Sequence, residues 1–340
     1  MLLEESLNAC QKYFLDLTWA HWNRFGATGF GPMNHCSLDP EALLMLTSFV
    51  GQEEGRLLEI MGEWIHQHGS LISIERLKKL VKICEKDSSE AETRETKDVF
   101  HKASSVLGNI VFKFIPKTQY PKWKKLFHME KFASPLSEVS SKRIKESNVV
   151  VQQNLLMRLR YLFGPGTRSD ILYFVLVIDH QKKNPFNLEI SSPTLARSLG
   201  YNMSSVHRTL NDFSDALILK KKAADDKRMN FILHQSIFKN PRIIEKCFIN
   251  WFPIVRMVFS LGRLRKSFGT RFQAYDESII KSRFLRFVSL CHDLARQACI
   301  PLKSQISVEL PLKDVPLEQV LKMGPTLIKE ICEFVTSAKW

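Results

Sequence analysis

Ser191-Ser-Pro-Thr-Leu-Ala-Arg-Ser-Leu-Gly-Tyr-Asn-Met-Ser-Ser-Val-His-Arg-Thr-Leu-Asn-Asp-Phe-Ser-Asp-Ala216 is the stretch whose reading decides the fold, together with Leu217-Ile-Leu-Lys-Lys-Lys222 and Arg228-Met-Asn-Phe-Ile-Leu233 just after it. Leu195 and Ala196 fall on the inner side of one helix, and Gly200 supplies a tight turn. Val206, Leu210 and Phe213 then recur at helical spacing in a second helix. The alternation in 217–222, a turn through Ala223-Ala-Asp-Asp226 and the run 228–233 read as a β-hairpin. Helix, turn, helix and basic hairpin together predict a winged helix-turn-helix.

The outward face of the second helix carries Asn202, Ser204, Ser205, His207, Arg208 and Asn211, short polar or cationic groups suited to base edges and phosphates. Arg208 is the full cation on its exposed second turn. Lys220, Lys221, Lys222, Lys227 and Arg228 flank the hairpin tip, where such a wing tracks the sugar-phosphate backbone. The competing reading of the same unit is a protein-docking module with a solvated polar face.

Upstream, Thr167 is placed to cap a helix over 168–179, and a short strand is expected near 188–190, which completes three helices plus a β-wing. Helical spacing extends over 149–162. From 113 to 148, lysines alternate with Phe114, Tyr120, Trp123 and Phe127, and prolines interrupt the pattern. Interleaved bases and aromatics suit single strands, but a linker whose aromatics anchor it to a neighbouring domain is the preferred reading. The front of the chain is helical. A helix over 3–25 is broken by Gly26, Gly29, Gly31 and Pro32, and Asp39-Pro-Glu41 restarts one with an N-cap, a proline at the first position and a first-turn acid. Ser73 caps a further helix that exposes Arg76, Lys78, Lys79 and Lys82. After Asn240-Pro241 the chain reads as helical, with helices over 242–250, 253–268, 276–298, 317–323 and 326–337, the last two separated by Pro325. The expected architecture is mainly α, with the central unit flanked by N- and C-terminal helical domains. The domains are an acidic one at 1–112, the linker at 113–148, the winged helix-turn-helix at 149–240 and a basic helical domain at 241–340.

The net charge of +14 is unevenly distributed. Residues 1–112 hold more acids than bases, so the positive excess lies in the remainder, the electrostatic outline of a protein that holds a polyanion. Seven cysteines without a C-x-x-C pair predict reduced, buried thiols. No apolar run reaches the roughly 18 residues of a membrane span, and the start lacks a signal-peptide pattern, so a cytoplasmic protein without membrane contact is expected. The phosphate-binding, dinucleotide, nucleophile-elbow and H-E-x-x-H signatures are missing, which points away from an enzyme. No metal site or cofactor is expected. His66 and His68 sit at a helix end, where a contact with the helix dipole is the expectation.

Thr167-Arg-Ser-Asp-Ile-Leu172, Leu195-Ala-Arg-Ser-Leu-Gly-Tyr201, Val206-His-Arg-Thr-Leu210 and the hairpin resemble the corresponding segments of a largely uncharacterised family of bacterial winged helix-turn-helix proteins. Leu38-Asp-Pro-Glu-Ala-Leu-Leu44, Trp64-Ile65 and Leu71-Ile-Ser73 are similar to that family's front. The resemblance implies a DNA-binding-type protein, in some genomes encoded beside a nucleotidyltransferase, as in AbiE-like toxin–antitoxin pairs. One departure is Leu217, which stands where winged helices of this sort commonly have glycine. The functional expectation is a bacterial transcriptional regulator that binds double-stranded DNA as a homodimer, its acidic N-terminal domain meeting a partner. The alternatives are an antitoxin-like partner of a neighbouring enzyme and a plasmid replication initiator.

Overall fold

Helical periodicity governs most of the chain, and helices dominate the computed structural model. It describes residues 2–27, 36–89, 94–115, 117–124, 126, 154–181, 190–223, 229–233, 248–268, 275–302 and 315–336. Among these, thirteen α-helices accompany one small three-stranded sheet, so the protein is mainly helical. None of the described helices is long and apolar enough to cross a membrane.

The two ends of the chain meet. Leu3, Leu7, Cys10, Phe14 and Leu17 recur at steps of three and four along α1 (Leu2–Arg24) and are all buried. Such a stripe must find an apolar partner, and it packs against α13 (Leu317–Thr336), which also lies on α12 (Glu277–Gln297). Gly324 permits that second contact, because a Cβ there would fall 2.7 Å from the Phe284 ring. The break expected at Pro325 does not occur, since one helix runs through it. A proline inside a helix costs about 3 kcal/mol. Leu327, Ile328 and Ile331 just beyond it are fully buried, each worth about 1.5–3 kcal/mol, and together they outweigh the loss.

The remaining body is built from α2 (Pro40–Val50), α3 (Gly55–His68), α4 (Ile74–Ser89), α5 (Arg94–Phe114) and α11 (Trp251–Phe268), with α11 packed on α1, α2, α4, α5 and α12. Asp39 caps α2 as its sequence predicts, Oδ1 accepting from the Ala42 N–H at 3.0 Å, with Pro40 at the first helical position. The short α6 (Tyr120–Lys124) buries Trp123 completely, and the Lys122 ammonium donates to the Ser70 and Ile72 carbonyls at 3.2 and 2.9 Å. Its aromatic therefore anchors the stretch and is not offered to a nucleic acid; residues 127–148 of the expected linker lie outside the described residues.

Two further expectations change. Residues 242–247 lie outside the described residues, and 248–250 are not helical; α11 begins at Trp251. Cys36 is disulfide-bonded, whereas Cys10, Cys84, Cys291, Cys299 and Cys332 are free.

The central unit starts with α7 (Leu155–Phe163), capped by Asn154, and α8 (Thr167–Gln181), which pack together. Then come β1 (Ile190–Ser191), α9 (Ser192–Leu199), α10 (Met203–Asp215), β2 (Leu219–Ala223) and β3 (Met229–Leu233). The sheet has the order β1-β3-β2, all antiparallel, with Ile190 opposite Phe231 and Lys220 opposite Ile232. Leu195, Val206, Leu210, Leu219 and Phe231 form its buried centre, as the periodicity requires.

Candidate nucleic-acid interface

The geometry of the α9–α10 turn is set by a glycine and a buried polar cluster. Gly200 has φ +73°, in the left-handed region, and its N–H donates to the Ala196 carbonyl. A Cβ at this position would lie 2.3 Å from the ring of Phe252 on α11, so the turn seats directly against the helical body.

Beside it, two arginines meet three carboxylates away from solvent. Arg160 on α7 uses all five of its N–H donors: Nε to Asp170 Oδ1 at 2.9 Å, Nη1 to Glu41 Oε1 at 2.7 Å and the Leu71 carbonyl at 2.9 Å, Nη2 to Glu41 Oε2 at 3.0 Å and Asp170 Oδ2 at 2.8 Å. Arg76 at the start of α4 donates through Nε to the Leu199 carbonyl at 2.7 Å, through Nη1 to Glu41 and Asp170, and through Nη2 to Asp39. The Tyr201 hydroxyl donates to Asp170 Oδ2 at 2.9 Å and lies 3.1 Å from Ser73 Oγ. Arg76 was expected on the helix surface and is instead 4% exposed. It shares the stripe of Ser73, Leu77 and Leu80, and its charge is neutralised where it is buried.

The ionised cluster carries one more negative than positive charge. Burial, with Glu41 alongside, pushes the Asp39 carboxyl up to about 6 despite Arg76. Burial alone would raise Asp170 as well, but Arg160 and Arg76 hold it below its ordinary value. Asp39 is thus the carboxylate of the pair that protonates first as the pH falls. The His21 ring, driven neutral chiefly by burial, accepts the Asp39 N–H on Nε2 at 3.3 Å. This arrangement fixes the carbonyl of Leu199 and the ring of Tyr201, and hence the entry to α10.

On α10 itself, Ser204, His207 and Arg208 are exposed, and Ser205 and Asn211 are half-buried. Met203 beside them is 58% exposed. Asn202 is exposed but not free, its Nδ2 donating to Glu75 Oε1 at 3.3 Å. His207 Nδ1 lies 3.3 Å from Ser192 Oγ. Of the two acids on this helix, Asp212 is paired with Arg168 at 3.1 Å, and Asp215 is exposed at its C-terminal end. Lys220, Lys221 and Lys222 are exposed on β2, and Lys227 and Arg228 lie outside the described residues. Asn202, Ser204, Ser205, His207, Arg208 and Asn211 therefore share one element, with three of the five wing cations on the strand that follows.

The helix-to-strand turn has the strain that the sequence predicts. Leu217 adopts φ +58°, Ile218 N donates to the Phe213 carbonyl and Leu217 N to that of Ser214, the bond pair of a Schellman C-cap. The Leu217 side chain is 66% exposed and contributes little burial. Leu217→Gly should therefore stabilise the protein by about 1 kcal/mol by removing the left-handed penalty. An unchanged or lowered denaturation midpoint would show that the turn is not strained.

The histidines read as a dipole contact behave differently. His66 Nδ1 lies 2.8 Å from the Phe114 carbonyl, and His68 is buried, which lowers its pKa to about 4 and keeps it neutral. The polar cluster was not foreseen from the sequence. The available signal was a cation at core spacing: Arg160 follows Leu156 by four residues and Met157 by three, both buried.

Comparison with protein-family models, curated proteins and solved structures returned no match.

Proposed function

We propose that residues 149–240 form a winged helix-turn-helix that binds double-stranded DNA, in a regulator of transcription. The observation that carries this reading is the exposure of His207 and Arg208 on α10 together with Lys220 and Lys221 on the adjoining strand, while the nearby Asp212 is neutralised by Arg168. In this reading α10 enters the major groove and the hairpin follows the phosphates. The basic excess of the chain supplies the long-range attraction. The buried arginine cluster sets the angle at which α10 leaves the body. A homodimer, with the acidic residues 1–112 meeting a partner or the second subunit, belongs to the same proposal.

The test is Arg208→Ala combined with Lys220→Ala, Lys221→Ala and Lys222→Ala, assayed on mixed-sequence duplex at about 100 mM salt. Affinity should fall markedly, and on a selected site Arg208→Ala alone should cost roughly 1–3 kcal/mol. Unchanged binding sinks the assignment.

A second reading rests on a specific contact. Glu75 holds Asn202 at the N-terminal end of α10, where a carboxylate disfavours phosphate, and Met203 offers apolar surface beside it. These features favour protein docking, as in an antitoxin-like partner of an enzyme. Purification with a stoichiometric protein and no salt-removable nucleic acid would support that alternative.

A further inference from the structure

The buried charge cluster lies on a seam between two parts of the molecule. Asp39 and Glu41 stand at the start of α2 and Arg76 lies in α4, whereas Arg160 and Asp170 belong to α7 and α8 of the central unit. Its three carboxylates are not equivalent. Glu41 and Asp170 each pair with both arginines, while among the described residues the ion pair of Asp39 is with Arg76 alone. The surplus negative charge therefore falls on Asp39, and a buried charge without a partner of its own calls for a cation. The space beside it, lined in part by Ser37, Asp170, Tyr173 and Ser198, is about 10 Å³, enough for one water. A metal ion would need several free oxygen ligands, but all six carboxylate oxygens already accept N–H bonds. A proton needs one lone pair and leaves those bonds in place. We propose that Asp39 is a buried proton-binding site, and that its proton clamps the central unit, α7 to β3, onto the helical body as the pH falls from neutral to mildly acidic.

The other charged or titratable groups around Asp39 are few. His21 on α1 accepts its N–H and is itself acted on by Arg24, Tyr201 donates to Asp170, and Lys122 on α6 acts on Glu41 and Arg160. Leu156, Tyr173 and Leu199 of the central unit cover the site, so parting the seam returns Asp39 to water. Docked, its carboxyl is raised by burial to about 6, against about 3.9 for an exposed aspartate. The docked state thus holds the proton more tightly. Attachment is strongest below the ordinary aspartate value, weakens as the pH rises to about 6 and is constant above it. From about pH 7 to about pH 5 the docked state gains about tenfold. Asp170 stays ionised over this range, since Arg160 and Arg76 outweigh its burial. His21 acts in the opposite sense on global stability: it is buried and neutral, so the unfolded chain gains by protonating it as the pH falls. The clamp is therefore read locally, at the seam. It does not rest on the DNA reading, and a protein without affinity for duplex would show it in full.

Native-state hydrogen exchange of the full chain, corrected for the intrinsic effect of pH, measures the clamp at about pH 7 and about pH 5. In the wild type, protection of the α9 and α10 amides should rise about tenfold at the lower pH. Asp39→Asn is neutral at both and keeps an oxygen to cap the Ala42 N–H, so its protection should not change between them. Protection that is equal or lower at about pH 5 in the wild type overturns the proposal, as does a rise that persists in Asp39→Asn. A rise of the same size in α12 and α13, remote from the seam, would mark a change in global stability and overturns it too. Should the variant fold poorly, the carboxyl carbon of Asp39 is titrated by NMR in the wild type. A midpoint near 6 is expected, and one at or below about 3.9, that of an ordinary aspartate, removes the proton site.

Discussion

Arg160→Met should cost roughly 3–5 kcal/mol of folding stability, a large share of the whole for a protein of ordinary stability. The side chain is fully buried and holds Glu41 and Asp170 through four of its five hydrogen bonds. Methionine fills most of the volume but leaves three buried carboxylates, Asp39, Glu41 and Asp170, to share the single charge of Arg76. Arg160→Lys should lose nearly as much, because an ammonium has three donors on a point and cannot bridge both carboxylates in a plane. The conclusion rests on charge and not on packing, which a third variant separates. Adding Asp170→Asn to Arg160→Met removes one of the under-compensated negative charges and should recover part of the loss. Denaturant midpoints measure all three, and a loss below about 1 kcal/mol for Arg160→Met would show that the cluster is not held as described.

The second large effect is expected at Gly200, for which alanine should cost about 2–5 kcal/mol, combining a left-handed backbone with overpacking against Phe252. The added Cβ meets two Phe252 ring atoms at 2.3 and 2.4 Å, and the ring has little room to move, because it is 5% exposed and lies 5.6 Å from the Arg76 guanidinium. A double-mutant cycle divides the two causes. Phe252→Ala relieves the clash but not the backbone strain, so the pair should be less destabilised than the sum by about 1 kcal/mol or more. Strict additivity would contradict the contact. Both substitutions act on the turn, so residual folded protein should also show altered exposure of α10 to proteolysis.

The helix pair, its Gly200 turn and the hairpin were legible because each leaves a local signal: apolar residues at a helical period, a glycine where φ is positive, and a run of lysines, 220–222, followed by the apolar strand Met229–Leu233. The cap at Asp39 and the strained Leu217 were legible for the same reason. What was not legible is non-local. Arg76, Glu41, Asp170 and Tyr201 are far apart in sequence, and nothing near any of them announces the others. Glu41 reads as a first-turn acid facing the helix dipole, and it does occupy that turn, but it is fully buried against Arg160 and Arg76. Arg76 reads as one of four surface cations of α4, and only its place on the stripe of Leu77 and Leu80 separates it from Lys78 and Lys82. Pro325 misled in the opposite direction, because a strong local rule yielded to tertiary packing. On the candidate interface, Arg208 and His207 are exposed as the period requires, while the attachment of Asn202 to Glu75 depends on how two distant helices pack.

The central proposal, duplex binding by α10 and the hairpin, is tested most directly by the salt dependence of affinity. The logarithm of the binding constant for a mixed-sequence duplex should fall linearly with the logarithm of salt concentration, with a slope of about −0.9 for each phosphate contact. Replacing Lys220, Lys221 and Lys222 with alanine should make that slope shallower by roughly one for each lysine that meets a phosphate, with folding unchanged. A salt slope identical in the wild type and the triple variant would contradict the assignment.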